Sequence, residues 1–142
     1  MNQSEGIIYN LVAYLRGQLP GHIIYSTKRE AVAGQEFVPD NCILVKQTGG
    51  IEGKHFAFNR YTFQVLTRAI DAIDAQTMSY AVYREIHNRL GLILPAVTIG
   101  ATVYPQLITA AIYAIQSPAS IGTDENGLEE YSNNYEITFT DE

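Results

Sequence analysis

From Tyr131 to Thr140 the sequence alternates without a break: Tyr131, Asn133, Tyr135, Ile137 and Phe139 against Ser132, Asn134, Glu136, Thr138 and Thr140. That period of two fits a β-strand with one wet face. Such a strand is stable only in a sheet whose other face is covered. The cover is legible upstream. Ala75, Met78, Val82, Ile86 and Leu90 step by three or four residues and predict a helix. It starts at Asp71 or Asp74, carries a Glu85–Arg89 pair on its flank and ends at Gly91. Ile7, Ile8, Leu11, Val12 and Leu15 predict a first helix, opened by Ser4 and Glu5 and closed by Gly17 and then Pro20-Gly21.

The rest reads as strands and connections. Residues 23–25 and 42–46 are short strands, the second placing Cys42 inside. Residues 61–68 form a third, with Tyr61, Phe63 and Val65 on one face. Residues 97–104 and 107–116 are strand candidates with apolar residues on both faces. Residues 28–40 are a polar excursion without firm structure, and 117–130 a long connection with a turn at Asn126-Gly127. Residues 48–60 hold three glycines and little periodicity, which predicts a long loop of a kind that often carries function. The expected fold is α+β in a single domain, residues 1–142: a roughly five-stranded, mostly antiparallel sheet with two helices packed on one face.

Composition narrows the class. With 46% hydrophobic and 17% charged residues, the chain is not intrinsically disordered. Pro95, Gly100 and Pro105 interrupt the best candidate for a membrane span, and Met1 to Glu5 lack the basic start of a secretory signal. A lone cysteine makes no internal disulfide, so a reducing compartment is expected. Ten tyrosines and five phenylalanines suit half-buried sheet faces and subunit interfaces. Residues 124–142 carry seven acids and no Lys or Arg, whereas the first 123 residues carry eight acids and nine bases. A face built from that acidic segment repels a phosphate backbone or meets a basic partner.

No catalytic constellation emerges. Gly49-Gly50-Ile51-Glu52-Gly53-Lys54-His55 has one residue too few between its glycines for a phosphate-binding loop, and His55 stands where the hydroxyl should be. His22, His55 and His87 lack metal-ligand spacing, and His87 near a helix end suits a structural role. Asp124-Glu125-Asn126-Gly127 places its glycine too early for a calcium loop. Cys42 sits in an apolar strand without a basic neighbour. No enzyme activity, cofactor or metal is expected.

Three segments carry a resemblance: Leu44-Val45-Lys46-Gln47-Thr48-Gly49-Gly50, a strand running into glycines; Tyr61 to Ala69 leading into the Ala-rich helix; and Gln116 to Gly127 followed by the Tyr131 to Phe139 strand. In this pattern the chain resembles the tail-terminator, or tail-completion, proteins of long-tailed bacteriophages, including those described as minor capsid proteins. The resemblance implies a structural virion protein assembled in the bacterial host cytoplasm. It would form a ring, usually a hexamer, at the head-proximal end of the tail tube. That ring stops tube growth, docks the head–tail connector or stopper, and lets DNA pass without specific binding. On this reading Gly49, Gly50, Lys54, Phe56, Phe58 and Arg60 are subunit or tube contacts, and Asp124, Glu125, Glu129 and Glu130 face the docking partner or the lumen. The alternatives are a connector or stopper of the same neck and, from a different class, a small α+β enzyme or ligand-binding domain.

Overall fold

A computed structural model describes residues 6–26, 41–51, 59–124 and 127–139. They form helices α1 (Ile7–Gln18) and α2 (Ala72–Ile86) and ten strands. The strands are β1 (Ile24–Tyr25), β2 (Cys42–Ile51), β3 (Asn59–Ala69), β4 (Arg89–Leu90), β5 (Ile93–Leu94), β6 (Val97–Ile99), β7 (Thr102–Tyr104), β8 (Leu107–Ala114), β9 (Ala119–Thr123) and β10 (Glu129–Phe139). The main sheet runs β1-β2-β3-β10-β8-β4, with β5 also on β8 and β9 also on β10. Only β1 and β2 pair in parallel; every other pairing is antiparallel.

The α+β class and the mostly antiparallel sheet match expectation. The strand count does not: the sheet has eight strands, not about five, because the short strands β4, β5 and β9, not read from the sequence, pair with β8 and β10.

Register explains the core. Phe63 lies opposite Tyr135, their rings stacked with centroids 5.1 Å apart, and Tyr61 lies opposite Ile137. Val45 faces Val65, and Ile112 faces Ile137, so alternate residues of four strands share one face. The same core cluster takes in Ile7, Leu11 and Leu15 of α1 and Ala75, Val82 and Ile86 of α2. Burying Phe63, Val45 or Ile137 stabilises the fold by roughly 1.5–3 kcal/mol each. Thr67 Oγ1 donates to the Ala75 carbonyl at 2.8 Å and ties α2 to β3.

Helix α2 begins as read from the sequence. The Asp71 carboxylate accepts the Ile73 N–H at 2.9 Å and caps the first turn. Its end differs. The helix stops at Ile86, His87 is already extended, and Asn88 turns through φ +59. Leu90, expected on the buried helix face, therefore lies in β4 and is 81% exposed. Arg89 has left the helix too, and its Nη1 reaches only the Glu85 carbonyl. The Glu85 carboxylate accepts instead from the Tyr14 hydroxyl of α1 at 2.7 Å. His87 follows α2, where its Nδ1 accepts the Ala114 N–H of β8 at 2.9 Å and its ring stacks on Tyr83.

Ser4 and Glu5 lie outside the described residues, and α1 opens at Gly6, which offers no side-chain cap. Gly17 stays inside the helix, and Pro20-Gly21 follow its end. The strand expected over 97–104 is instead a separate hairpin, because Gly100 at φ +62 reverses the chain between β6 and β7. β8 carries apolar residues on both faces, as expected: Leu107 and Ile112 are buried, whereas Ile108 and Tyr113 are exposed. The connection 117–130 contains β9, which runs on along β10 where β8 stops. The excursion 28–40 lies outside the described residues.

Candidate functional site

The described residues of the expected loop 48–60, namely 48–51 and 59–60, are strand, and 52–58 lie outside the described residues. β2 continues to Ile51 and β3 starts at Asn59, in register Gly50 to Tyr61 and Ile51 to Arg60. A bulge between Gln47 and Gly49 absorbs the glycines, with Gly49 at φ +148, a conformation that side-chain-bearing residues rarely adopt. Thr48 Oγ1 donates to Thr62 Oγ1 across it at 3.1 Å. Of the expected contact residues, Gly49, Gly50 and Arg60 thus sit at the open end of the β2–β3 pair. Lys54, Phe56 and Phe58 lie outside the described residues, as does His55.

Arg60 is well exposed, with its Nε 3.6 Å from the Glu136 carboxylate on β10. An ion pair this exposed contributes little to stability. The Tyr113 hydroxyl of β8 also donates to Glu136, so Glu136 is held from both neighbouring strands. Gln64 Nε2 donates to Ser132 Oγ at 2.6 Å on the same face. A polar stripe therefore crosses β3 and β10 on the side away from the core.

The acidic residues have partners inside the subunit. Glu130 stands opposite Arg68 in the β10–β3 register, and its carboxylate accepts from Arg68 Nε at 2.8 Å. Asp124 lies 3.8 Å from Arg68 Nη2, and its Oδ1 accepts the Leu128 N–H at 2.8 Å, closing the β9–β10 turn. All three side chains are at most 16% exposed. Burial works against the Arg68 charge, but the hydrogen bond and charge of Glu130, joined by Asp124, hold its pKa above the ordinary arginine value. Glu129 Oε1 accepts from the Thr123 hydroxyl across the β9–β10 pair. Glu125 lies outside the described residues, with Asn126 of the expected turn; Gly127 makes that turn at φ +81.

Two features were not read from the sequence. Asn10 of α1, 2% exposed, donates through Nδ2 to the carbonyls of Pro95 at 2.8 Å and Pro105 at 3.3 Å. One amide thus pins both feet of the β6–β7 hairpin. The second feature is an apolar outer face on β8, β4 and β5, where Ile93 and Ile108 oppose each other, both at least half exposed. Its signal was available: residues 90–123 contain no Asp, Glu, Lys, Arg or His.

Among the described residues there is no group of three or more His, Cys, Asp or Glu side chains able to hold a metal. None of their helices is long and apolar enough to cross a membrane. Cys42 is buried, as expected. His22 and Asp74 line a groove of about 440 Å³ with Ile23, Asn41, Thr77 and Met78.

A family model described as bacteriophage tail terminator protein matches residues 38–141, from just before β2 through β10. No curated protein matches the chain at a significant level.

Proposed function

Because the chain belongs to the bacteriophage tail terminator family, and so is a structural component of a phage tail, we propose that it forms a closed ring, of six subunits, on the last ring of the tail tube. There it halts tube polymerisation and offers the docking surface for the head connector or stopper, and DNA passes through its lumen without specific binding. The observation that carries this reading is the family match across the whole run from β2 to β10. Assembly takes place in the host cytoplasm, before head and tail join.

Within that ring Gly49, Gly50 and Arg60, at the open end of the β2–β3 pair, contact the tube or the neighbouring subunit, and Lys54, Phe56 and Phe58, outside the described residues, are assigned the same role. The turn side of β10, with Asp124, Glu129 and Glu130, faces the docking partner or the lumen, and Glu125, outside the described residues, is assigned the same role. Arg68 already balances the charge of Asp124 and Glu130, which leaves Glu129 as the acidic residue of this set, among the described ones, without a cationic partner.

Negative-stain electron microscopy and native mass spectrometry of concentrated protein, and of purified tails, test the reading. Sixfold rings capping tubes of uniform length are expected, and tails assembled without the protein should overgrow. A chain that stays monomeric at high concentration and never associates with tails overturns it.

A further inference from the structure

Eight of the eleven large apolar side chains left exposed among the described residues come from residues 90–123. Those 34 residues carry no charge, where a stretch of that length at the chain's 17% charged fraction holds about six. The core does not require this composition. Leu94 and Leu107 oppose each other and are buried, while their strand neighbours Ile93 and Ile108 oppose each other on the outer face, 50% and 60% exposed. A half-buried strand ordinarily carries polar residues at such positions.

The backbone gathers five of these side chains on one face. Ile108 and Tyr113 are five residues apart, which in a regular strand puts them on opposite faces. β8 bulges between Thr109 and Ala111, two steps against one on β10, and so turns both outward. Leu90, opposite Ala111, extends the patch across β4, and Ile115 prolongs it beyond β8. The five on this face, Leu90, Ile93, Ile108, Tyr113 and Ile115, expose on the order of 500 Å², well over half the share one partner contributes to a standard interface. That is at the upper end of the roughly 300–600 Å² of a monomer's largest apolar patch, and patches of that size often serve binding.

Taking the ring proposed above as given, we propose that this uncharged face of β8, β4 and β5 is the surface by which one copy of the chain contacts the next, head to tail. The receiving surface is the groove beside β1. The chemistry excludes nucleic acid, which needs Lys or Arg, and gives a charged partner nothing to hold. The remaining exposed apolar side chains are Ile23, which lines the groove, and Ile70 and Ile73, where β3 passes into α2. β1 and β4 are the two ends of the strand order, about five spacings of ~4.8 Å apart. Face and groove therefore meet only between copies, and a contact of that kind closes into a ring by rotation.

The test uses the full chain in sedimentation equilibrium. Leu90→Glu with Ile108→Glu should weaken association at least tenfold and leave circular dichroism unchanged, since both side chains project into solvent. Ile93→Glu, on β5 of the same face, serves as a second probe if that variant folds poorly. A mixture of Ile93→Cys and Ile23→Cys chains, treated with oxidised glutathione, should cross-link between the two variants and not within either. Double-Glu chains that assemble like wild type overturn this face while leaving the ring intact. Ile93→Cys chains that cross-link to themselves overturn the head-to-tail arrangement. A wild type that assembles neither in solution nor on tails overturns the ring and this contact together.

Discussion

Tyr104 lies directly over Gly6: a Cβ at Gly6 would stand 2.3 Å from Tyr104 Cδ1 and 2.9 Å from its Cβ. Tyr104 ends the β6–β7 hairpin, and its ring packs on Tyr9 one turn into α1. Gly6 therefore does more than begin a helix. It leaves the room that lets the hairpin seat on α1. Gly6→Ala should displace the ring, costing about 1–3 kcal/mol by overpacking, and hydrogen exchange should show β6 and β7 opening before the main sheet.

Asn10 holds the same hairpin by its base. Asn10→Ala removes a buried donor from two proline carbonyls, for about 1–3 kcal/mol. Chemical denaturation should show the loss. Asn10→Asp should do worse, since a carboxylate cannot donate to either carbonyl.

The Arg68–Glu130–Asp124 cluster should behave as a buried ion network. Removing one partner leaves uncompensated charge, so Arg68→Ala should cost about 3–5 kcal/mol. Glu130→Gln should cost less, because the amide still accepts a hydrogen bond. A double-mutant cycle on Arg68 and Glu130 should give a coupling of at least about 1 kcal/mol.

Alkali should unfold the chain through its tyrosines. Burial, then the hydrogen bond to Glu85 and its charge, push the Tyr14 hydroxyl up to about 12, and burial pushes Tyr61 and Tyr135 above the usual tyrosine range. In the unfolded chain each ionises near ~10. The folded state thus binds more protons above that pH, and stability falls as pH rises. Their contribution is fully present below pH ~10 and is lost as pH climbs through the folded values. Urea midpoints should drop between pH 9.5 and 11, and less steeply in Tyr14→Phe.

Tyr61→Phe carries a second outcome. The Tyr61 hydroxyl is buried without a hydrogen-bond partner among the described residues. Deleting it removes an unsatisfied polar group, so the variant should gain about 1 kcal/mol at neutral pH. A melting temperature below wild type would show that the hydroxyl is satisfied after all.

The parts legible in advance were those in which local chemistry and tertiary packing agree. β10 alternates because one face meets the core, and Asp71 caps α2 with its own side chain. The end of α2 was misread because Leu90 keeps the helical spacing past a break made by Asn88, without Gly or Pro to announce it. The β2–β3 hairpin hid behind Gly49 and Gly50, which usually mark loops but here sit in and beside a bulge. The partners of Asp124 and Glu130 depend on a register that brings together residues 56 and 62 positions apart along the chain. Composition does not encode that distance. The uncharged face was present as an absence of charge, which periodicity counts do not register.

The place of β10 in the sheet sets a schedule for biosynthesis. It is the last described strand in the chain, yet it pairs with β3 along eleven residues and with both β8 and β9. Every β3–β10 contact spans 60 to 80 residues of sequence, so a nascent chain waits several seconds for it at about 5–20 residues per second. Until then Phe63 and Val65 lack their pairing strand, and the sheet is open along β3. The surfaces proposed for ring contacts become rigid only when the last strand has slotted between β3 and β8. In the proposed ring, a copy without β10 has no finished surface to offer its neighbour.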